Sequence, residues 1–219
     1  MPKLVLATRN AGKVRELADA LRAFGLEPVG LDAFAELADI EENGTSFEEN
    51  SLLKARAVVE RTGLYAIADD SGLEVDALGG APGIYSARFA SLRPQPPDAA
   101  PDDSRDLRNN KTLLAELAKV PKAPRTARFV CAMSACSPQG RELVVRGQWE
   151  GEILHAPQGS NGFGYDPLFF DPVLGLAAAQ MTKEIKNSRS HRGKALQKLL
   201  AAWPDFYEDG LREPGAVSR

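Results

Sequence analysis

The chain has 219 residues, of which 43 % are hydrophobic and 26 % charged, as in an ordinary globular protein that buries a core. Its formal net charge of −3 means that the chain has no overall positive charge with which to attract nucleic acid or an anionic membrane. No stretch approaches the roughly 20 apolar residues of a membrane-spanning helix, and no cleavage-site pattern follows the short apolar run near the N-terminus. We therefore expect a cytoplasmic protein without membrane or nucleic-acid partners, in which Cys131 and Cys136 are buried thiols.

The first predicted elements are a strand, a helix and a strand. An apolar run at Lys3–Thr8 predicts the first strand, and helical spacing of apolar residues predicts a helix between Asn10, which can cap it, and Gly25. Glu27–Leu31 can return as a second strand. This βαβ start indicates an α/β sheet.

The next elements lead to an acidic pair. Ser46 and Glu49 form a capping-box pattern that begins a helix ending at Gly63. A predicted strand at Tyr65–Ala68 then runs directly into Asp69.

The remaining predicted elements are an exposed loop at Arg93–Ser104, a helix through Leu107–Leu117, strands at Thr126–Ala135 and Glu142–Trp149, a glycine-rich loop at Gly159–Asp166, a helix at Gly193–Trp203 and a polar tail after Asp205. We expect one domain over residues 1–205 and a tail over residues 206–219.

Four segments contain residue types suited to nucleotide chemistry. The first lies between a strand and a helix N-terminus, where free N–H groups and the helix dipole favour an anion. Its residues are Thr8, Arg9, Asn10, Ala11, Gly12 and Lys13. It is not a Walker loop, because the first glycine is absent and Val14 replaces the metal-binding hydroxyl residue. A plain capped turn with a surface lysine is the alternative.

The second segment is Asp69-Asp70-Ser71-Gly72, at the end of an apolar strand. Ligands gather at strand ends in α/β sheets, and buried carboxylates are costly unless they are paired or bind a metal. Glu41, in the acidic turn at residues 41–44, could supply a second carboxylate to a magnesium site. Solvated turns are the alternative interpretation of both segments.

The third and fourth segments could hold a base and phosphates. Phe163, Gly164, Tyr165 and Asp166 place an aromatic ring and an acceptor between glycines, although an ordinary loop with Phe163 in the core has the same pattern. Residues 186–194 contain four basic side chains and His191, which could clamp triphosphate oxygens and a base or form a solvated helix start. Together the four segments are the parts that a nucleoside triphosphate hydrolase requires.

These segments resemble the inosine/xanthosine triphosphate pyrophosphatases. The resemblance covers Lys3 to about Trp203, with the motifs in the order of that family. The motifs that carry it are Ala7–Lys13, Phe47–Asn50 with Lys54-Ala55, Ala66–Leu73, Leu78–Arg88, Gly162–Pro167 and Ser190–Gly193. The resemblance implies an elongated mixed β-sheet flanked by helices, with two lobes, a central substrate cleft, a homodimer and Mg²⁺ dependence.

The resemblance also implies a role for each matching residue. Asp70 matches the proton acceptor and metal ligand, and Glu41 matches the other metal carboxylate. The remaining matches are substrate contacts, and they comprise Thr8, Arg9, Asn10, Ala11, Gly12, Lys13, Ser71, Phe163, Gly164, Tyr165, Asp166, Lys186, His191 and Arg192. The implied reaction converts ITP, dITP or XTP to the nucleoside monophosphate and pyrophosphate.

Three departures from the family pattern and three rival functions accompany this interpretation. Arg9 stands where the family commonly has glycine, the Arg93–Ser104 loop is longer than usual, and the tail from Asp205 has no counterpart.

The rival functions are a related pyrophosphatase for modified pyrimidines or another nucleotide, a non-catalytic nucleotide sensor, and a nucleic-acid-binding module based on the basic segment. The net charge argues against the last of these.

Overall fold

The structure is a computed structural model that describes residues 3–9, 11–23, 25–34 and 40–211, without the side chains of residues 11–13, 15–16, 23 and 208–211. The strands in this part of the chain are β1 (Lys3–Leu6), β2 (Glu27–Gly30), β3 (Tyr65–Val75), β4 (Thr126–Cys136), β5 (Glu142–Ile153), β6 (Phe169–Asp171) and β7 (Leu176–Ala177). The α-helices are α1 (Ala11–Ala23), α2 (Phe47–Thr62), α3 (Arg105–Ala118), α4 (Lys183–Arg189) and α5 (His191–Leu211). The short 3₁₀ segments include Gly83–Leu92.

The strands form a seven-stranded sheet in the order β2-β1-β3-β4-β5-β6-β7. Strand β1 pairs in parallel with both β2 and β3, whereas β6 pairs antiparallel with both β5 and β7. The predicted α/β class with a mixed sheet flanked by helices is therefore confirmed. The predicted βαβ start is also confirmed, because α1 connects the parallel pair β1 and β2.

The chain divides into two compact units. Unit 1 comprises Met1–Asp70, Cys131–Gly147 and Lys194–Arg219, and unit 2 comprises Ser71–Val130 and Gln148–Gly193. Both cysteines lie in unit 1 as buried free thiols, as expected. The domain limits predicted at residues 205 and 206 stay predictions. No helix within the described residues has the length and apolar character to span a bilayer.

Each unit has its own hydrophobic core. The core of unit 1 includes leucines of β1 and α1, Met133 and the aromatic residues Tyr65, Trp203 and Phe206. The core of unit 2 is built around Phe129, whose ring centroid lies 4.5 Å from that of Phe169 and 6.2 Å from that of Trp149. Large apolar side chains buried in each unit stabilise the elements that carry the polar residues described below.

Helix α5 is longer than its sequence indicates. The predicted end at Trp203 is wrong, because the helix continues through Pro204 to Leu211. Proline removes a helical hydrogen bond and usually ends or bends a helix. Here Phe206, beyond the proline, is only 5 % exposed and packs edge-on against Tyr65 at a centroid distance of 6.1 Å. Burial of this ring offsets the cost of Pro204 and holds the last turns in place.

The parallel pairing of β1 and β3 brings two predicted motifs to one edge of the sheet in unit 1. Leu6, the last residue of β1, pairs with Ile67 of β3, and the N–H of Ala7 donates to the carbonyl of Ile67 at 2.8 Å. The chain leaves β1 toward Thr8 at the same level at which β3 reaches Asp69. This is the position at which parallel sheets collect ligands.

Candidate active site

The acidic pair lies inside a strand and is not a solvated turn. Strand β3 does not end at Ala68, as the apolar pattern indicated, but continues to Val75. Asp69 and Asp70 are accordingly buried, with exposures of 2 % and 8 %. Buried carboxylates require hydrogen-bond or charge partners, and α2 provides these partners in unit 1.

Helix α2 contributes two buried polar residues, one turn apart. The helix starts at a cap in which Ser46 accepts a hydrogen bond from the N–H of Glu49 at 3.1 Å. Asn50 donates from Nδ2 to Oδ2 of Asp70 at 3.1 Å. Nζ of Lys54 donates to the carbonyl oxygen of Asp69 at 2.6 Å and lies 3.9 Å from Oδ1 of Asp70. Residues four apart share one face of a helix, so Asn50 and Lys54 both face the acidic pair.

Lys54 is a buried cation surrounded by acidic groups. Burial alone would lower the pKa of Lys54, but the charges of Asp70, Asp69 and Glu42 together raise it above its usual value of 10.5. Lys54 therefore stays charged at neutral pH. Its positive charge offsets the repulsion between the neighbouring carboxylates.

Glu42, in the turn at residues 41–44, contributes a further carboxylate beside Lys54. Its Oε1 accepts a hydrogen bond from Nζ of Lys54 at 2.8 Å. Glu41, the residue predicted from sequence, is exposed and makes no ion pair with the residues that the structure describes. The carbonyl oxygen of the Asn50 side chain accepts from the N–H of Gly44 at 2.8 Å, which ties this turn to α2. The metal role of Glu41 stays a prediction, and Glu42 is a second candidate.

The predicted phosphate loop is described in part. Thr8 and Arg9 follow β1, and Nη1 of Arg9 lies 3.9 Å from Oδ1 of the exposed Asp32. Asn10 lies outside the described residues, and α1 begins at the next residue, Ala11. Ala11, Gly12 and Lys13 thus form the first turn of a helix, where backbone N–H groups lack helical partners and favour an anion.

The oxygen ligands of unit 1 suit a hard divalent cation. Carboxylates of Asp70 and Glu42 meet around Lys54. In the described part of the chain, no group of three or more metal-ligating side chains forms a complete site. Mg²⁺ commonly takes one or two carboxylates together with substrate phosphates. Carboxylates of this kind could hold a Mg²⁺ together with the phosphates of a substrate.

The aromatic loop of unit 2 presents a ring between two cations. Phe163 is 54 % exposed, which is not the buried core position allowed by the sequence pattern. Nζ of Lys186 lies 5.2 Å from the ring centroid, and Cζ of Arg192 lies 5.9 Å from it. The buried carboxylate of Asp166 pairs with Lys186 and accepts from the N–H of Phe163 at 2.9 Å. An exposed ring with charged neighbours can stack on a flat ligand.

The start of α5, directly after the cap that ends α4, carries two of the predicted contacts in unit 2. Ser190 ends α4, and its hydroxyl accepts from the N–H of Gly193 at 3.1 Å. His191 is buried, with its ring stacked on Phe129 at a centroid distance of 4.8 Å. Nη2 of Arg192 donates to the hydroxyl of Ser71 at 3.1 Å. The structure therefore brings together Ser71, Phe163, Asp166, Lys186 and Arg192, which come from three separate segments.

Two further residues of the aromatic loop are held by their surroundings. Tyr165 is buried, and its hydroxyl donates to the carbonyl of Ser86 at 2.8 Å. Burial and the charge of Asp106 raise the pKa of Tyr165, so its hydroxyl remains protonated. Gly164 adopts a positive φ of 62°, a conformation that favours glycine. Both residues shape the backbone around the exposed ring.

The sequence motifs alone indicate no roles for Asn50, Lys54 and Glu42. A signal was present, since a buried helix face ordinarily lacks amide and ammonium groups, and Asn50 and Lys54 stand at helical spacing among apolar residues. Their partners, Asp69 and Asp70, are fifteen or more residues away along the chain. The contacts therefore depend on how α2 packs, which the spacing alone does not provide.

Known proteins resemble this chain over nearly its whole length. The family model described as the Ham1 family matches residues 4–202. A dITP/XTP pyrophosphatase of Nitratidesulfovibrio vulgaris is 62 % identical over 204 residues, which cover 93 % of this chain and 97 % of that protein. A protein of the same name from Photobacterium profundum is 50 % identical and covers 94 % of this chain and 100 % of its own length.

Solved structures agree with the fold. A HAM1 protein from Coxiella burnetii superposes with a TM-score of 0.83 at 36 % identity, covering 94 % of this chain and all of that chain. A nucleoside-triphosphatase, or dITP/XTP pyrophosphatase, from Mycobacterium abscessus superposes with a TM-score of 0.72 at 44 % identity, covering 90 % of this chain and 98 % of that chain. On its sequence, its sheet and its matching motifs, the chain belongs to the Ham1 family.

Proposed function

We propose that this protein is a nucleoside triphosphate pyrophosphatase that hydrolyses ITP, dITP and XTP to the nucleoside monophosphate and pyrophosphate. The observation that carries the proposal is the buried carboxylate of Asp70, held between Asn50 and Lys54 at the edge of the sheet to which the phosphate loop also leads. The names of the similar proteins from Nitratidesulfovibrio vulgaris and Photobacterium profundum support the same substrate class.

Asp70 is the proposed proton acceptor. Its Oδ2 is oriented by Asn50, and the ammonium of Lys54 lies 3.9 Å from its Oδ1. An ionised, oriented carboxylate can accept a proton from a water that attacks the α-phosphorus. Lys13 and the N-terminal turn of α1 would stabilise the charge that develops on the departing pyrophosphate. Asp69, whose carbonyl binds Lys54, braces the strand.

A Mg²⁺ ion completes the proposal for unit 1. Asp70 and one of the two glutamates, Glu41 or Glu42, would hold it with the phosphate oxygens of the substrate. The metal would neutralise phosphate charge that otherwise repels the attacking water. The proposal can be tested apart from turnover, because Mg²⁺ should raise the Tm further in the presence of dIMP and pyrophosphate than alone.

The base is assigned to the residues of unit 2. Phe163 would stack on the purine, and Lys186 and His191 are the proposed donors toward the 6-oxo group that hypoxanthine and xanthine share. The contact between Lys186 and Asp166 supports a role at the base for Lys186, rather than at the triphosphate oxygens that the basic segment could also clamp. Arg192 remains a candidate contact for either group.

A homodimer and a cytoplasmic location belong to the same proposal. The Gly83–Leu92 segment and α3 expose large apolar side chains, including Tyr85, Leu92 and Leu107, which could lie in an interface between two copies. Light scattering of the purified protein should give twice the mass of the chain. The cytoplasm is where nucleoside triphosphates are available, and fractionation of cells should find the protein there.

The decisive experiment is product analysis with a nucleotide panel. ITP, dITP, XTP, GTP, ATP and modified pyrimidine triphosphates are incubated with the enzyme, with and without Mg²⁺, and monophosphate, pyrophosphate and orthophosphate are measured. We expect equal amounts of monophosphate and pyrophosphate from the first three nucleotides. Preference for a pyrimidine would favour the related pyrophosphatase, and tight binding of ITP without hydrolysis would favour a nucleotide sensor.

A further inference from the structure

Both polar groups of the Gly164 backbone, in the middle of the aromatic loop, form hydrogen bonds with side chains of α3. Its N–H donates to Oδ2 of Asp106 at 2.7 Å, and its carbonyl oxygen accepts from Nδ2 of Asn110 at 2.9 Å. Asp106 and Asn110 are four residues apart and share one face of the helix. One peptide segment of an exposed loop is therefore fixed by two side chains of one helix.

These bonds lie between the residues proposed to bind the base. Phe163 precedes Gly164, and the buried Asp166 follows it by two residues. The N–H of Asp166 donates to the carbonyl of Phe163 at 3.3 Å, which closes the loop into a tight turn. Phe163 itself is exposed and contacts cations rather than a hydrophobic core. The orientation of its ring consequently depends on the backbone on either side, which α3 holds.

Asn110 makes this contact despite an unfavourable position. It is 6 % exposed, and its Oδ1 is buried without a hydrogen-bond partner among the described residues. A buried acceptor without a partner reduces stability, which offsets what the hydrogen bond to Gly164 contributes to folding. The hydrogen bond to Gly164 is therefore not explained by folding alone.

The neighbouring Asn109 provides a contrast. It is also buried, but it donates to the carbonyl of Ala87 at 3.2 Å and accepts from the N–H of Ala90 at 2.9 Å. Asn109 thus fixes the Gly83–Leu92 segment and not the aromatic loop. Two adjacent asparagines of α3 have the same chemistry but different targets, which allows their effects on the fold and on the base site to be separated.

We propose that Asp106 and Asn110 are positioning residues that pre-organise the aromatic loop for the nucleobase and so set the affinity for the purine. The inference rests on the proposed function, in which Phe163 receives the base. A loop that is already in its binding conformation loses less conformational entropy on binding, which strengthens the contact without touching the ligand. The phosphate loop and Asp70 belong to unit 1, so we expect the chemical step to be independent of this loop backbone.

The test compares Asn110→Leu, Asp106→Ala and Asp106→Asn with the matched control Asn109→Ala. For each protein we measure kcat and KM for dITP, the inhibition constant of inorganic pyrophosphate, and the Tm. We expect Asn110→Leu and Asp106→Ala to raise KM about tenfold, with kcat within about twofold of the wild type and pyrophosphate inhibition unchanged. Asp106→Asn, whose amide oxygen can still accept from Gly164, should restore most of the affinity.

The Tm separates positioning from folding. Asn110→Leu should keep the Tm of the wild type while KM rises, whereas Asn109→Ala should lower the Tm and leave KM unchanged. An unchanged KM in Asn110→Leu, or an equal rise of KM in Asn109→Ala, overturns the inference while the proposed function stands. If the wild-type protein hydrolyses none of the purine triphosphates, the proposed function fails and takes the inference with it.

Discussion

Asn50 donates from its side-chain amide to Oδ2 of Asp70 at 3.1 Å, and the same side chain accepts from the N–H of Gly44 at 2.8 Å. One buried residue thus joins the proposed proton acceptor to the acidic turn that carries the candidate metal ligands. The donor orients the carboxylate of Asp70, because it fixes the position of one of the two carboxylate oxygens.

Substituting Asn50→Asp should shift the acid limb of the pH–rate profile upward. A second carboxyl group within hydrogen-bond distance of Asp70 makes ionisation of both groups unfavourable, so the pKa of the pair rises. We expect kcat/KM for dITP to fall off at a pH about one unit higher than in the wild type. Gln139→Glu, which adds the same charge on an exposed turn of unit 1, should leave the profile in place. A superimposable profile for Asn50→Asp would argue that Asp70 is not the group that titrates.

Lys54→Met should reduce turnover far more than stability alone explains. The substitution leaves Glu42 and Asp70 without the cation between them, and we expect kcat to fall on the order of 10²–10³-fold. Arg56→Met is the matched control, because Arg56 on the same helix pairs with Glu142 at 2.7 Å on the surface. Steady-state kinetics of both variants test the assignment, and equal losses in the two would contradict it.

Asp171→Asn should destabilise the protein at neutral pH and lose that effect in acid. Asp171 is buried and accepts from Nε1 of Trp149 at 2.9 Å and Nη2 of Arg189 at 2.8 Å. Burial opposes its ionisation, but these hydrogen bonds outweigh burial and lower the pKa of Asp171 below its usual 3.8. The stability that the ionised Asp171 contributes is therefore complete above about pH 4. It is lost as the pH falls through the lower pKa of Asp171 in the folded state.

Urea unfolding as a function of pH measures this difference. We expect Asp171→Asn to lower the free energy of unfolding by about 1.5 kcal/mol near pH 7, because it removes charge-assisted hydrogen bonds to Arg189 and Trp149. The gap to the wild type should narrow below pH 4. Asp102→Asn, at an exposed position of unit 2, should unfold like the wild type. A gap that is constant from pH 7 to pH 3 would rule out the ionised form of Asp171 as its source.

Gly162→Ala should weaken binding of the purine. A Cβ at this position would collide with Oδ2 of Asp166 and lie 3.0 Å from Nζ of Lys186, so the pair that borders the aromatic ring would have to move. We expect KM for dITP to rise about tenfold. Gly175→Ala is the control for backbone strain, since Gly175 has a similar positive φ of 67° but open space around its Cβ position. Equal effects of the two substitutions would assign the loss to strain alone.

Local patterns predicted much of the fold. The βαβ start, the cap at Ser46 and the final helix follow from apolar spacing and from capping residues, which act over a few residues. The predicted end of α5 is wrong because Phe206 is buried against Tyr65, more than a hundred residues away in the sequence. A proline signal is local, whereas the aromatic contact that overrides it is not.

The site shows the same division between local and distant information. The chemistry of Asp70, Phe163 and Lys186 could be inferred from residue type and neighbours. The pairing of Lys54 with the carbonyl of Asp69 could not, since it depends on the packing of α2 against β3. Glu41 and Glu42 are adjacent in an irregular segment, where no periodicity indicates which side chain turns inward.

The most direct test of the central claim is product release by the wild type and by Asp70→Asn with dITP and Mg²⁺. Single-turnover experiments should give one pyrophosphate and one dIMP per dITP with the wild type. The variant should keep the Tm and bind dITP, yet release pyrophosphate at least about 10³-fold more slowly, because the proton acceptor is gone. Pyrophosphate release at the wild-type rate by a folded Asp70→Asn would contradict the assignment of Asp70 as the catalytic carboxylate.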